Sequence, residues 1–71
     1  MIGNKLREWR HKLGFTQQEL TQAAGVSIAT TVLIERYGHL PSEDVRQRLS
    51  RALGVSEGVI WPDVVVVSDG N

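Results

Sequence analysis

Apolar positions fall along the chain in short runs of helical period, each broken by a glycine or a proline. In residues 2–13, Ile2, Leu6, Trp9 and Leu13 are spaced by four, three and four, forming one face of an amphipathic helix. Lys5, Arg7, Glu8, Arg10, His11 and Lys12 fill its other faces, and Gly14 ends it. Phe15 then precedes Thr16, an N-cap residue with Glu19 three places on, so that hydroxyl and carboxylate can each satisfy an N–H of the first turn. Leu20, Ala23 and Ala24 give the second helix an inward stripe. Gly25 stops it, because a glycine takes the positive φ that a tight turn requires. Ser27 caps a third helix that runs to about Arg36, with Gly38 just beyond.

The second half follows the same grammar. Pro41 disfavours helix at Leu40, and Ser42 caps a fourth helix with Glu43 and Asp44 at the positive end of its dipole. Val45, Leu49, Ala52 and Leu53 face inward, Arg46, Arg48 and Arg51 outward, and Gly54 terminates the run. Ser56 caps a short fifth helix whose Val59, Ile60 and Trp61 close the core before Pro62. The pattern predicts an all-α domain of five helices over residues 1–62 and a C-terminal tail over residues 63–71. Residues 64–67 are all valine, which favours extended structure but needs a partner strand. The tail is expected either to pair with a second copy of the chain or to fray.

Residues 16–38 organise the rest: two short helices across a glycine turn are a helix-turn-helix, whose second helix can lie in a DNA major groove. Composition narrows the alternatives. Seventy-one residues make one domain near the lower size limit, with no room for a buried catalytic cavity. The absence of cysteine removes disulfides and thiolate metal sites and makes a reducing cytoplasm the expected location. Neither a secretory signal nor a membrane span is expected, since residues 1–12 carry charges throughout and the longest apolar stretch is four valines. His11 and His39 lack ligand-type companions, and no nucleophile motif or phosphate-cradling loop is present, so no enzyme, metal or cofactor is expected. Trp9 and Trp61 sit at helical spacing and are expected in the core rather than stacked on bases.

Eight basic residues balance eight acidic ones, which predicts weak nonspecific attraction to phosphate. The halves differ, however: residues 1–40 hold five basic against three acidic residues, and residues 41–71 hold three against five. The half carrying the helix-turn-helix is the more positive.

The stretch LREWRHKLGFTQQELTQAAGVS, followed by IERYG, PS and ALGVS, resembles the lambda-repressor-like helix-turn-helix domains of the Xre and Cro/C1 type over about residues 2–62. The ending VIWP is similar to that of the small Ner-like phage proteins. The resemblance implies a compact five-helix domain that regulates transcription, as a repressor, by placing its third helix in double-stranded DNA, usually as a two-fold homodimer on a palindromic operator. It also implies an internal ion pair between Arg10 and Glu35, which match family positions on helices one and three.

On a helical wheel, Ile28, Ala29, Val32, Leu33 and Arg36 share an arc of about 140°, and Ser27, Thr30, Thr31 and Ile34 occupy the other side. The family pattern buries the second set, so DNA would meet a face without base-edge hydrogen-bonding groups. Three uses of the helix follow. It enters the groove and packs on thymine methyl groups, it rotates to bury Ile28, Val32 and Leu33 while turning Thr30 and Thr31 outward, or its apolar face binds a protein. The last would make the chain an interaction module, such as an antitoxin or regulatory adaptor, with the valine tail as a second surface. Candidate DNA contacts are Thr16, Gln17 and Gln18 at the start of helix two, Ser27, Ile28, Ala29, Thr30, Val32, Leu33 and Arg36 on helix three, and Tyr37 and His39 after it.

Overall fold

The computed structural model describes residues 3–64. Among them five helices follow one another: α1 (Leu6–Lys12), α2 (Gln17–Ala24), α3 (Ile28–Tyr37), α4 (Glu43–Leu53) and α5 (Glu57–Ile60). The all-α architecture read from the sequence is the one observed, and no helix among the described residues is long and apolar enough to cross a membrane.

Local chemistry sets the boundaries. The capping box forms in both directions: Thr16 Oγ1 accepts from Glu19 N at 3.0 Å, and Glu19 Oε1 accepts from Thr16 N at 2.9 Å. Ser27 caps α3 and Ser42 caps α4 through the N–H groups of Thr30 and Val45. Gly25 ends α2 with φ of 70°, in the left-handed region, and a Cβ there would stand 3.3 Å from an Arg48 guanidinium nitrogen. Ser56 occupies the N-cap of α5 but its side chain makes no capping hydrogen bond.

The core gathers Leu6, Leu20, Ala24, Ile34, Leu49, Leu53, Ile60 and Trp61, one or two from each helix or its edge. Trp9, Phe15, Val26, Val45, Ala52, Val55 and Val64 pack against this cluster while half-buried. Trp61 is therefore a core residue, and Trp9 lies at its margin with Nε1 donating to Val59 O.

Several sequence expectations are corrected. α1 begins only at Leu6, later than the periodicity suggests; the expectation for Ile2 lies outside the described residues. Leu13 is 44% exposed, because α1 turns Arg10 rather than Leu13 toward the interior. On α2 the inward stripe is Leu20, Thr21 and Ala24, and Ala23 faces solvent; Thr21 satisfies its hydroxyl by donating to Gln18 O at 2.8 Å. Val59 is exposed, leaving Ile60 and Trp61 to close the base of the core. Arg46 is not an outer residue: it ion-pairs with Glu57 and donates to Pro41 O at 2.7 Å, clamping α4 to α5 and to the preceding loop. The strand expectation for residues 64–67 falls outside the described residues beyond Val64, whose N–H donates to Trp61 O at 3.1 Å.

Candidate nucleic-acid interface

α3 is held by three buried side chains on one side, Thr31, Ile34 and Glu35. This orientation excludes the rotated register, which would expose Thr31 and bury Ile28 and Leu33; instead Ile28 is 51% and Leu33 45% exposed. Ile34 enters the core, while Glu35 binds the buried guanidinium of α1. Arg10 Nε reaches Glu35 Oε2 at 2.7 Å and its Nη2 reaches Oε1 at 3.0 Å, a two-pronged pair whose side chains are only 9% and 4% exposed. The third face of the guanidinium donates to Phe15 O at 2.9 Å, so one arginine ties α1, the α1–α2 connection and α3 together.

The sequence-predicted contact residues divide into those that are free to meet a partner and those already engaged. Ile28, Ala29, Leu33, Arg36, Tyr37 and His39 are exposed, and Val32 is half-buried beside them. Gln18 is exposed at the start of α2. Thr16 is exposed but spends its hydroxyl on the α2 cap. Gln17 is half-buried, with its amide donating to Glu35 Oε1 at 3.2 Å. Ser27 is exposed where the wheel put it inside, and Thr30 is half-buried; their hydroxyls hydrogen-bond each other at 2.8 Å, while Ser27 also accepts from Thr30 N.

Beside this face an open cleft of about 450 Å³ is lined by Arg7, Arg10, Gln17, Val32, Glu35 and Arg36. Its rim carries two exposed arginines from different helices, Arg7 and Arg36, and neither lies within ion-pairing distance of a carboxylate among the described residues. By contrast Arg46 and Arg48 of α4 are paired, the latter with Asp44 at 2.9 Å. The α1–α3 cleft thus carries two guanidinium groups without a carboxylate partner among the described residues, and Arg51, Lys5 and Lys12 elsewhere on the surface likewise have none there. No cluster of three or more potential metal ligands exists among the described residues.

Two residues near this face escaped the sequence reading. Arg7 was one of many charges on the polar side of α1, and only the packing of α1 beside α3 brings it next to Arg36. Asn4 carries two contacts: its Oδ1 accepts from Leu6 N at 3.1 Å, and its Nδ2 donates to Ile34 O at 2.9 Å, fixing the start of α1 to α3. Asn4 stands one residue before the N-cap position Lys5, inside the run that the periodicity assigns to the helix, so neither bond was legible in the sequence.

Residues 2–60 match the family model described as a helix-turn-helix domain. Among curated proteins, the chain is 41% identical over 49 residues to an uncharacterized HTH-type transcriptional regulator of Methanothermobacter thermautotrophicus, covering 69% of this chain and 71% of that protein. It is 30% identical over 59 residues to the HTH-type transcriptional regulator YgzD of Bacillus subtilis, covering 82% and 89% of the two chains. Over 60 residues it is 32% identical to YazB of the same organism, also named an HTH-type transcriptional regulator, covering 84% and 87%. No solved structure gives a significant match. A family model that spans nearly the whole chain, on a fold whose glycine turn, caps and buried ion pair are all in place, identifies it: the chain belongs to the helix-turn-helix domain family.

Proposed function

We propose that this DNA-binding transcriptional regulator lays α3 in the major groove, acts as a repressor by occupying its site, and binds a palindromic operator as a two-fold dimer. The observation that carries the reading is the arrangement of α3: one side is anchored by Thr31, Ile34 and Glu35, and the opposite side, Ile28, Ala29, Val32, Leu33 and Arg36, stands free. Around it are groups suited to phosphate. The start of α2 presents Gln17 and Gln18 with the positive end of the helix dipole. Arg7 and Arg36 flank the adjoining cleft, and Tyr37 at the end of α3, which is 71% exposed, and the exposed His39 after it are further candidates for backbone contact. The domain measures 35 × 26 × 21 Å, and half-sites one helical turn apart are separated by about 34–36 Å, so two copies have room to sit side by side on one face of the DNA.

Use of the apolar face on a protein is disfavoured by the arginines at its edge, which have no carboxylate partner among the described residues, and by the names of the relatives. Titration of labelled promoter DNA from the protein's own locus tests the reading. Expected are a preferred short palindrome, affinity that falls with salt, and amide shifts concentrated in α2 and α3. Binding with no site preference at low salt, together with unshifted α2 and α3 resonances, refutes it.

A further inference from the structure

Resting on the reading of α3 as the groove-facing helix, we propose that this face selects DNA by the 5-methyl groups of its pyrimidines rather than by hydrogen bonds to base edges. Ile28, Ala29, Val32 and Leu33 bring no side-chain donor or acceptor; they lie within the first six positions of α3, with Ile28, Ala29 and Leu33 exposed and Val32 half-buried. Three neighbouring polar side chains are committed within the domain, while Arg36 on the same face and Gln18 at the start of α2 stay exposed. The Ser27 and Thr30 hydroxyls bond each other, and the Gln17 amide is held by Glu35. Hydrocarbon is what these four side chains offer, and the thymine methyl is the only alkyl group that an ordinary base pair displays in the major groove. The occupant of the face is DNA because its border carries Arg7 and Arg36 without carboxylate partners among the described residues, which complements a polyanion.

Two consequences distinguish methyl readout from edge readout. Uracil, which keeps every hydrogen-bonding group of thymine and loses only the methyl, is a poor substitute. 5-Methylcytosine, which changes the hydrogen-bonding edge and keeps the methyl, is a partial one. The experiment enriches short random duplexes with the full chain, then rebuilds the enriched site with uracil for each thymine, and with cytosine or 5-methylcytosine at the same places. At contacted positions uracil weakens binding by about fourfold per methyl, and 5-methylcytosine binds more tightly than cytosine. Leu33→Ala reduces the thymine-to-uracil ratio at one position while leaving the others unchanged, a pattern that general destabilisation does not produce. An enriched site indifferent to uracil overturns methyl readout and leaves groove binding standing. Failure of the folded chain to enrich any duplex overturns groove binding, and methyl readout falls with it.

Discussion

Glu35→Ala removes the acceptor at the centre of the scaffold, and its cost can be worked from the geometry. The carboxylate receives Arg10 Nε at 2.7 Å, Arg10 Nη2 at 3.0 Å and Gln17 Nε2 at 3.2 Å. After truncation the guanidinium stays where α1 put it, buried, with Phe15 O at 2.9 Å as its remaining acceptor. Breaking a buried pair from one side costs about 3–5 kcal/mol, because the stranded charge keeps its desolvation penalty. Gln17 is half-exposed and turns to water, adding little. Seventy-one residues at typical stability per residue hold on the order of 4–11 kcal/mol in total, so the variant loses about a quarter of its stability or more. At about 4–8 °C per kcal/mol for a domain this small, Tm falls by about 12 °C or more. Circular-dichroism melts with urea titrations measure this directly. The double variant Arg10→Met, Glu35→Leu recovers most of the loss, since an apolar pair of similar volume often replaces a buried ion pair at no net cost. A Glu35→Ala melt within about 3 °C of the parent refutes the reasoning, because it means that water already reaches the pair.

Thr31→Val is expected to stabilise the domain by about 1 kcal/mol in the same assays, because the fully buried Thr31 hydroxyl makes no hydrogen bond among the described residues. Gly25→Ala is expected to cost about 1–2 kcal/mol from the left-handed backbone alone, with a further increment if the Arg48 guanidinium 3.3 Å from the new methyl cannot move; urea titration against Gly14→Ala, where the space is open, separates the two. Arg7→Ala and Arg36→Ala are each expected to lower the salt dependence of DNA binding by about one counterion, with Tm unchanged. An unaltered slope removes that arginine from the phosphate contacts.

Local signals were the most legible part of the sequence. Caps at Thr16, Ser27 and Ser42 and the turn at Gly25 are decided within four residues, so the helices of the motif could be placed without tertiary information. Periodicity set the type of α1 and α2 but not the direction of their stripes. An arc one residue wider or narrower is enough to exchange Leu13 for Arg10, or Ala23 for Thr21, between core and solvent. Long polar side chains were the least legible, since their partners are distant in sequence. Arg46 finds Glu57 and Pro41 O, Asn4 finds Ile34 O, and Arg7 joins Arg36 only through packing. The Arg10 and Glu35 pair was the exception because a family resemblance supplied the pairing that spacing does not contain.

Half of α3 is built from residues branched at Cβ: Ile28, Thr30, Thr31, Val32 and Ile34. Such residues make a poor helix in isolation, so a peptide of this segment would be largely unfolded in water; its shape is lent by the domain beneath it. Branching also restricts χ1 in a helix almost to one rotamer, so Ile28 and Val32 are stiff before any partner arrives. Glutamines or arginines at the same places would surrender side-chain freedom on docking, whereas these residues surrender little. Calorimetry should accordingly find a negative heat-capacity change with a small ordering penalty. The helix trades adaptability for a surface whose contours exist in advance, and a site that does not match those contours has few side-chain rearrangements through which to be accommodated.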